Sequence, residues 1–336
     1  MAIVGKLLIV ILNYKVTDLT IDCLRSLHEE VTSSDGFGVA VLENGTGEAD
    51  YQRLSRFVRD NLWDSWINLS KVMPNRGFCG GNNVILRQAL ALQPPPQYIM
   101  LLNADTIVRP RALAELVDFM DRHPQAGIAG SRLLSPEGKD QSPAFRFPTV
   151  AGEFAGALSI GPISKLFDPY MGVPPHPGRT TKVEWVPGAA MILRSKMLQQ
   201  IGPLDEDLYT YFDDIDICQR AARAGWETWY VHESEVVHLE GASTGIGTRL
   251  IKRRPDYWFE ARRRCNLNNY GSMKAALLDA AFIVGFAGRR FRRWILREED
   301  SDPPHMLGDF IRHSVWVTGF KIKPVVNPAL AQTPRA

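Results

Sequence analysis

Tyr98-Ile-Met-Leu-Leu-Asn-Ala-Asp105 decides how this chain must fold. A run of apolar residues from Tyr98 to Leu102 suits a strand buried on both faces, and it ends abruptly in an amide and a carboxylate. Pro110 then opens a helical pattern in which Leu113, Leu116, Val117 and Met120 recur at i, i+3, i+4 and i+7, so the helix packs back over the strand. Open sheets built this way bind ligands outside the carboxyl ends of their strands. Asp105 stands at such an end.

The same alternation runs upstream. Lys6 to Leu12 reads as a first strand, Thr17 as the cap of a helix carrying Ile21, Leu24 and Leu27, and Gly38 to Leu42 as a second strand. Ile67 to Val72 is a third strand, and a helix over Asn82 to Leu92 is stopped by Pro94-Pro95-Pro96. Alternating strands and helices predict an α/β fold with a mostly parallel sheet covered on both faces. Between Gln141 and Lys182 the periodicity gives way to prolines and glycines, an irregular segment of the kind that is functional or mobile. Regular structure returns at Val183 to Leu193. No internal repeat is visible.

With 336 residues, 45% of them hydrophobic and 23% charged, the chain can bury one large core or two. Cys23, Cys79, Cys218 and Cys265 are scattered without metal or redox spacing, which points to a reduced cytosolic compartment. The apolar amino-terminus lacks a basic n-region and a small-residue cleavage site, so it reads as a strand and not as a signal sequence. Net charge is only +2, yet residues 249–297 hold 13 Lys or Arg against 3 Asp or Glu.

Tyr209-Thr-Tyr-Phe-Asp-Asp-Ile-Asp-Ile-Cys-Gln-Arg-Ala221 gathers three carboxylates beside three aromatics where a helix begins. A helix starting near Asp213 puts Asp213, Asp216, Ile217 and Arg220 on one side and leaves Asp214 on a neighbouring face. Acids in a first turn also answer the helix dipole, so the cluster alone has two readings. Asn75-Arg-Gly-Phe-Cys-Gly-Gly-Asn-Asn83 reads either as a phosphate cradle or as an ordinary glycine-rich turn. Glu43-Asn44-Gly45 suits a ribose-reading or base-reading acid or a simple turn. His238, ending Val236-Val-His-Leu-Glu-Gly241, either completes a metal site with Asp105 or is a core histidine.

Taken in order, these pieces resemble glycosyltransferase family 2, the inverting GT-A enzymes, and in particular its rhamnosyltransferase-like branch. The resemblance rests on Val10-Ile-Leu-Asn-Tyr14, Leu42-Glu-Asn44, Asn75-Arg-Gly-Phe78, Gly81-Asn-Asn83, Leu102-Asn-Ala-Asp105, Trp185-Val-Pro-Gly-Ala189, Ile201-Gly-Pro-Leu-Asp205-Glu206, Tyr211-Phe-Asp-Asp-Ile-Asp216 and His238. It implies a GT-A fold, with a Rossmann-like sheet and a helical carboxyl-terminal extension. Residues 1–110 would bind the nucleotide sugar, 111–248 the acceptor, and 249–336 would form the basic extension.

The resemblance also implies roles. Asp214 corresponds to the catalytic base, with Tyr211, Phe212 and Asp213 raising its pKa by desolvation and like charge. Asp105 and His238 correspond to ligands of Mg²⁺ or Mn²⁺. Leu12, Tyr14, Glu43, Asn75, Gly77, Phe78, Asn82, Asn83, Asn103 and Ala104 would contact the nucleotide, and Trp185, Gly188 and Asp213 the acceptor. Asp216 would orient the helix. The chain departs from the family pattern at Asn103, where many members carry a first aspartate, at Asp213, where Glu is usual, and at Glu43, where Asp is more frequent.

The expected activity is therefore metal-dependent, inverting transfer of a sugar, most plausibly rhamnose from dTDP-rhamnose. The acceptor would be a saccharide or lipid-linked saccharide in cell-surface polysaccharide synthesis, with nucleic acid no partner. A sugar-nucleotide nucleotidyltransferase would need a glycine-rich basic loop near residue 15, where Lys15-Val-Thr-Asp18 has no glycine. A non-catalytic saccharide-binding scaffold would have no need to keep both Asp105 and Asp214.

At the carboxyl-terminal end, residues 275–288 are apolar but too few to span a bilayer, and they contain Asp279. In Arg289-Arg-Phe-Arg-Arg-Trp-Ile-Leu-Arg297 the five arginines share one arc, opposite Phe291, Trp294 and Ile295. Either the helix lies on an anionic membrane surface, giving a cytoplasmic protein attached at the inner face of the plasma membrane, or its aromatic face packs onto the catalytic domain.

Overall fold

β1 (Leu7–Asn13), β2 (Phe37–Asn44), β3 (Ile67–Val72) and β4 (Tyr98–Asn103) lie where the sequence predicts strands. The computed structural model describes residues 5–141, 145–170, 172–173, 177–239, 252–300 and 302–325. Residues 142–144 and 174–176 of the segment read as irregular, Glu240 and Gly241 of the histidine motif, and 249–251 and 326–336 of the extension lie outside the described residues. The four strands pair in the order β3-β2-β1-β4, all parallel. Helices α1 (Thr17–Thr32), α2 (Glu48–Asp60) and α3 (Gly77–Leu90) join them. Leu7, Ile9 and Ile11 face one core and Leu8 and Val10 the other, which is why β1 has to be apolar throughout.

Beyond β4 the sheet changes character. The remaining strands are β5 (Thr106–Val108), β6 (Ala126–Leu134), β7 (Thr181–Val183), β8 (Ala190–Arg194) and β9 (Glu227–His238), with α4 (Ala112–Arg122) after β5. β6 and β9 are parallel, but β8 inserts between β4 and β6 antiparallel to both, and β5 and β7 run antiparallel to β9. The described sheet of nine strands is thus mixed, a correction to the mostly parallel expectation. The excursion after β6 returns the chain to the edge it left, so β8 must run back the other way.

That excursion is more regular than the sequence predicts. It contains α5 (Val150–Leu158) and α6 (Gly161–Leu166). The Thr149 hydroxyl caps α5 by accepting from the Gly152 amide at 2.9 Å. The buried residues of α5 are Gly152, Ala155 and Ala157, too small to give a hydrophobic period in the sequence. Ala157 lets the helix approach Gly285 of α9 (Asp256–Leu296), which follows α7 (Ser195–Ile201) and α8 (Asp213–Arg223) and precedes α10 (Met306–His313) and α11 (Val315–Thr318).

α9 has 41 residues and breaks its helical geometry at Gly271, where φ is 74°. Among the described residues it is the one helix long and apolar enough to cross a membrane by length and composition, so the expectation that its apolar run is too short fails on length. Asp279, the charge inside that run, is buried and satisfied: Arg262 donates to it at 2.5 Å and the Val315 amide at 2.8 Å. Arg262 also pairs with Glu153 of α5 at 2.9 Å.

Of the two readings of the last turns of α9, packing of the aromatic face onto the catalytic domain fails. Arg289, Arg290, Arg292 and Arg293 pair with Asp302, Asp300, Glu298 and Asp302 respectively, so these arginines are largely matched within the chain. Phe291, Trp294 and Ile295 are exposed and do not pack onto the catalytic domain.

The α5–α9 contact has no spare room. A Cβ on Gly285 would stand 2.5 Å from the Phe154 carbonyl oxygen and 3.1 Å from the Ala157 Cβ. Gly285→Ala is therefore expected to destabilise the fold by about 1–3 kcal/mol, because backbone cannot yield as a side chain can. Gly308→Ala in α10 has nothing within 4 Å of its new carbon and should leave the fold unchanged or slightly firmer. Urea unfolding midpoints of the two variants decide it, and equal midpoints would mean the helices can part without cost.

Candidate active site

The site is assembled where β8 docks on β4. Leu102 pairs with Ala190, and one residue further the Asn103 amide donates to the Ala189 carbonyl at 2.9 Å. The next residue back, Gly188, sits against the start of α8: a Cβ built on it would stand 3.8 Å from Asp213 Oδ2, and its amide helps to hold down the pKa of the neighbouring Asp214. Asp214 and Asp105 thereby lie at one sheet edge, with Gly188, Ala189, Asn103 and Ala104 between them.

Asp214 lies in the first turn of α8, which begins at Asp213 as the sequence predicts, and it accepts from the Ile215 amide at 2.8 Å. Its side chain is only partly exposed. Burial pushes its pKa up to about 6, against the opposing pull of the Ile215 and Gly188 amides. Asp213 is fully buried, and its carboxyl is held well above the usual range, first by burial and then by the charge of Asp214. The like-charge effect expected on Asp214 thus falls mainly on Asp213. The two acids differ in setting: Asp213 is the more deeply buried and its carboxyl is pushed upward, while Asp214 stays partly exposed.

Asp216 is the orienting acid. It pairs with Arg220 at 2.8 Å and accepts from Asn269 of α9 at 2.9 Å, while Arg220 donates to the carbonyls of Ile201 and Pro203. The lead-in to α8 is strained: Tyr209, Tyr211 and Phe212 have φ of 62°, 70° and 61°. The first turn of α9 grips these rings. Tyr211 stacks on Tyr257 with centroids 6.0 Å apart, Tyr209 meets Tyr257 edge-on at 5.8 Å, and Phe212 meets Trp258 at 5.3 Å. Sequence reading missed Tyr257 and Trp258, although an aromatic pair opening a helix was there to be seen.

The glycine-rich stretch is helical for most of its length, because α3 begins at Gly77 and not at Asn82. Its tightest approach is to protein: a Cβ on Gly77, whose φ is 72°, would lie 2.4 Å from the Tyr209 ring. Asn75 accepts from the Gly77 amide at 2.7 Å and from Asn44 at 3.2 Å. Asn82 donates to the Phe78 carbonyl, and Asn83, fully buried, bonds the Leu204 carbonyl and amide at 2.8 and 3.0 Å. The buried Glu43 carboxylate accepts from the Thr46 amide at 2.5 Å and the Gly45 and Gly47 amides at 3.4 Å, so it caps its own turn. These side chains shape the edge from behind. Leu12, Tyr14, Phe78 and Asn103 remain partly exposed, and Ala104 is buried.

Of the expected acceptor residues, Gly188 sits beside Asp213 and the Phe78 ring, with the position of a Cβ 3.8 and 3.7 Å from them. Trp185 is used structurally. It stacks on Phe145 at 4.1 Å and donates through Nε1 to the Arg146 carbonyl at 3.0 Å.

The candidate metal residues meet as well. Thr106 pairs with His238 across β5 and β9, the Leu239 amide donates to the Asp105 carbonyl at 2.9 Å, and His238 Nε2 lies 3.6 Å from Asp105 Oδ1. Asn103 Nδ2 is 3.5 Å from the same ring nitrogen. Among the described residues no group of three or more His, Cys, Asp or Glu converges. A buried carboxylate and one imidazole leave most of a coordination sphere to phosphate oxygens and water, which fits a hard divalent cation.

The family model described as glycosyl transferase family group 2 matches residues 98–296, which include Asp105, Asp214 and His238. The chain belongs to this family. N-acetylglucosaminyl-diphospho-decaprenol L-rhamnosyltransferase of Mycobacterium tuberculosis (strain H37Rv) is 28% identical over 150 residues, covering 44% of this chain and 48% of that protein. Rhamnosyltransferase WbbL of Escherichia coli (strain K12) is 26% identical over 167 residues, covering 48% and 60%. The chain spans about half the length of the curated relatives it matches. GalNAc-T7, solved with UDP, GalNAc and Mn²⁺, superimposes with a TM-score of 0.60 at 12% identity over 88% of this chain and 57% of that one. The mannosyltransferase PcManGT of Pyrobaculum calidifontis, solved with GDP-Man and Mn²⁺, gives 0.54 at 14% identity over 94% and 84%. These likenesses establish the GT-A fold of this chain.

A base can accept a proton only when ionised. Since Asp214 is raised from 3.8 to about 6, kcat/KM is expected to climb with pH through an acid limb near 6. The native state also holds this proton longer than the unfolded chain, so the group's contribution to stability falls as pH rises from 3.8 to about 6. A rate profile whose acid limb stays near 4 would remove Asp214 from the base role.

Proposed function

We propose that this glycosyltransferase is metal-dependent and inverting, and that it moves L-rhamnose from dTDP-rhamnose to a saccharide or lipid-linked saccharide on the cytoplasmic side, in cell-surface polysaccharide synthesis. The observation that carries the reading is the gathering of Asp214 and the Asp105–His238 pair at one sheet edge, where Asn103 bonds Ala189 and the adjoining Gly188 lies against the start of α8. The rhamnosyltransferase names of two relatives support the donor, and the Mn²⁺ in the titles of two structural neighbours supports the metal.

Chemically, Asp214 takes the proton of the acceptor hydroxyl as that oxygen bonds the anomeric carbon, and the bond from that carbon to the diphosphate oxygen breaks on the opposite side. One base and a single displacement invert the anomeric centre. Asp105 and His238 would hold Mg²⁺ or Mn²⁺, which when bound neutralises charge on the departing diphosphate. Tyr257 and Trp258 keep the strained lead-in rigid, so Asp214 meets the hydroxyl without rearrangement.

Two variants separate the roles. Asp214→Asn should keep metal-dependent thermal protection by dTDP-rhamnose while turnover falls by roughly 10²–10⁴-fold, since an amide cannot accept the proton. Asp105→Ala should lose the metal-dependent part of that protection, because the cation links protein to diphosphate. Near-full turnover in the first variant, or undiminished protection in the second, overturns the corresponding assignment. A different nucleotide sugar giving the only protection would replace the donor.

A further inference from the structure

The second half of α9 presents an uncharged face to solvent. Met273, Leu277, Val284, Phe291, Trp294 and Ile295 are between 48% and 80% exposed. At 100° per residue all six lie within about 60° of one line, with only alanines and Gly288 between them, over about 33 Å of helix. The opposite face is occupied by α5 at Gly285 and by the buried Arg262–Asp279 pair. Lys274 and Arg292 stand along one border of the stripe and Arg290 along the other.

The stripe does not end with α9. Trp316 donates through Nε1 to the Ala276 carbonyl at 3.3 Å, which sets its exposed ring beside the stripe, and Val317, Phe320 and Ile322 continue from it, also exposed. Lys321 and Lys323 alternate with the last two of these. An apolar surface this long is not left in water by a stable protein without cause.

We propose that this face of α9, extended by Trp316 to Ile322, lies in the interfacial layer of an anionic lipid bilayer. Indole and phenyl rings would sit at the headgroup boundary, and the bordering cations would reach lipid phosphates. A second copy laid on the same stripe would have to bury Lys321 and Lys323 together with Phe320 and Ile322, whereas a bilayer accepts apolar side chains without shape complementarity and supplies phosphates for those lysines. The attraction differs from that expected from the sequence. The arginines are mostly matched by Glu298, Asp300 and Asp302, so apolar burial carries the binding and charge only trims it. Because the first turn of α9 also grips the approach to Asp214, one helix sets the base at a defined height above the surface; this last link rests on the proposed function, the docking does not.

The test uses the full chain and sucrose-loaded vesicles of phosphatidylethanolamine and phosphatidylglycerol in equal amounts. The parent is expected to sediment with them, to remain bound at high salt and to be released by alkaline carbonate. Phe291→Gln, Trp294→Gln and Ile295→Gln combined should lower the partition coefficient by at least about tenfold while the thermal midpoint and transfer to a soluble acceptor stay at the parent's values. Unchanged sedimentation of the triple variant overturns the proposal. So does retention after carbonate, which would indicate a spanning helix, or a parent that ignores vesicles but forms dimers that the triple variant abolishes. Loss of transfer activity in the parent would instead strike the proposed function and leave the docking result readable.

Discussion

The antiparallel docking of β8 against β4 is the constraint on which the site depends. A strand of parallel register could not have delivered Gly188 and Ala189 to the end of β4, because its first residues would lie at the other edge of the sheet. As it is, the Asn103 amide meets Ala189, and the adjoining Gly188 lies against the start of α8, where Asp213 and Asp214 stand. Asp105 and Asp214, more than a hundred positions apart in the chain, are spaced by backbone rather than by flexible side chains. Backbone spacing loses little entropy when substrates bind, which is what a displacement needing alignment at both ends of the breaking bond requires.

The carboxyl-terminal helix makes that arrangement durable. Three non-glycine residues in left-handed conformations before α8 cost of order 1–3 kcal/mol each, so surrounding contacts must over-determine them. Gly77 leaves room for Tyr209, the Cys79 amide bonds its carbonyl at 3.2 Å, and Tyr257 and Trp258 close on the rings. Arg264 of α9 forks onto Asp205 at 2.9 and 3.0 Å and reaches Asp207 at 2.8 Å, fixing the turn that leads into the same segment. The extension is therefore part of the catalytic body in its first half and a solvent-facing surface in its second.

Much of this was legible in order of residues. Buried strands announce themselves because both faces of a covered sheet demand apolar side chains, and α4 was readable because Leu113, Leu116, Val117 and Met120 all had to reach the core. The start of α8 and the separation of Asp214 from Asp213 and Asp216 followed from helical period alone. α5 was not legible, since glycine and alanine pack by absence of volume and leave no periodic signal. The partners that Glu43, Asn75 and Asn83 find within the chain were not legible, since a polar side chain's partner is never written beside it in sequence.

By itself the sequence determined the α/β architecture, the edge at which ligands gather, and the acids available there, because these depend on local period and on residue type. Only the tertiary structure decided the direction of β8, the unequal burial of Asp213 and Asp214, the pairing of the arginines with Glu298, Asp300 and Asp302, and the exposure of Phe291 and Trp294. Each of those turns on burial and on distances between residues remote in the chain. Charge and hydrophobicity belong to a residue, but desolvation belongs to its surroundings.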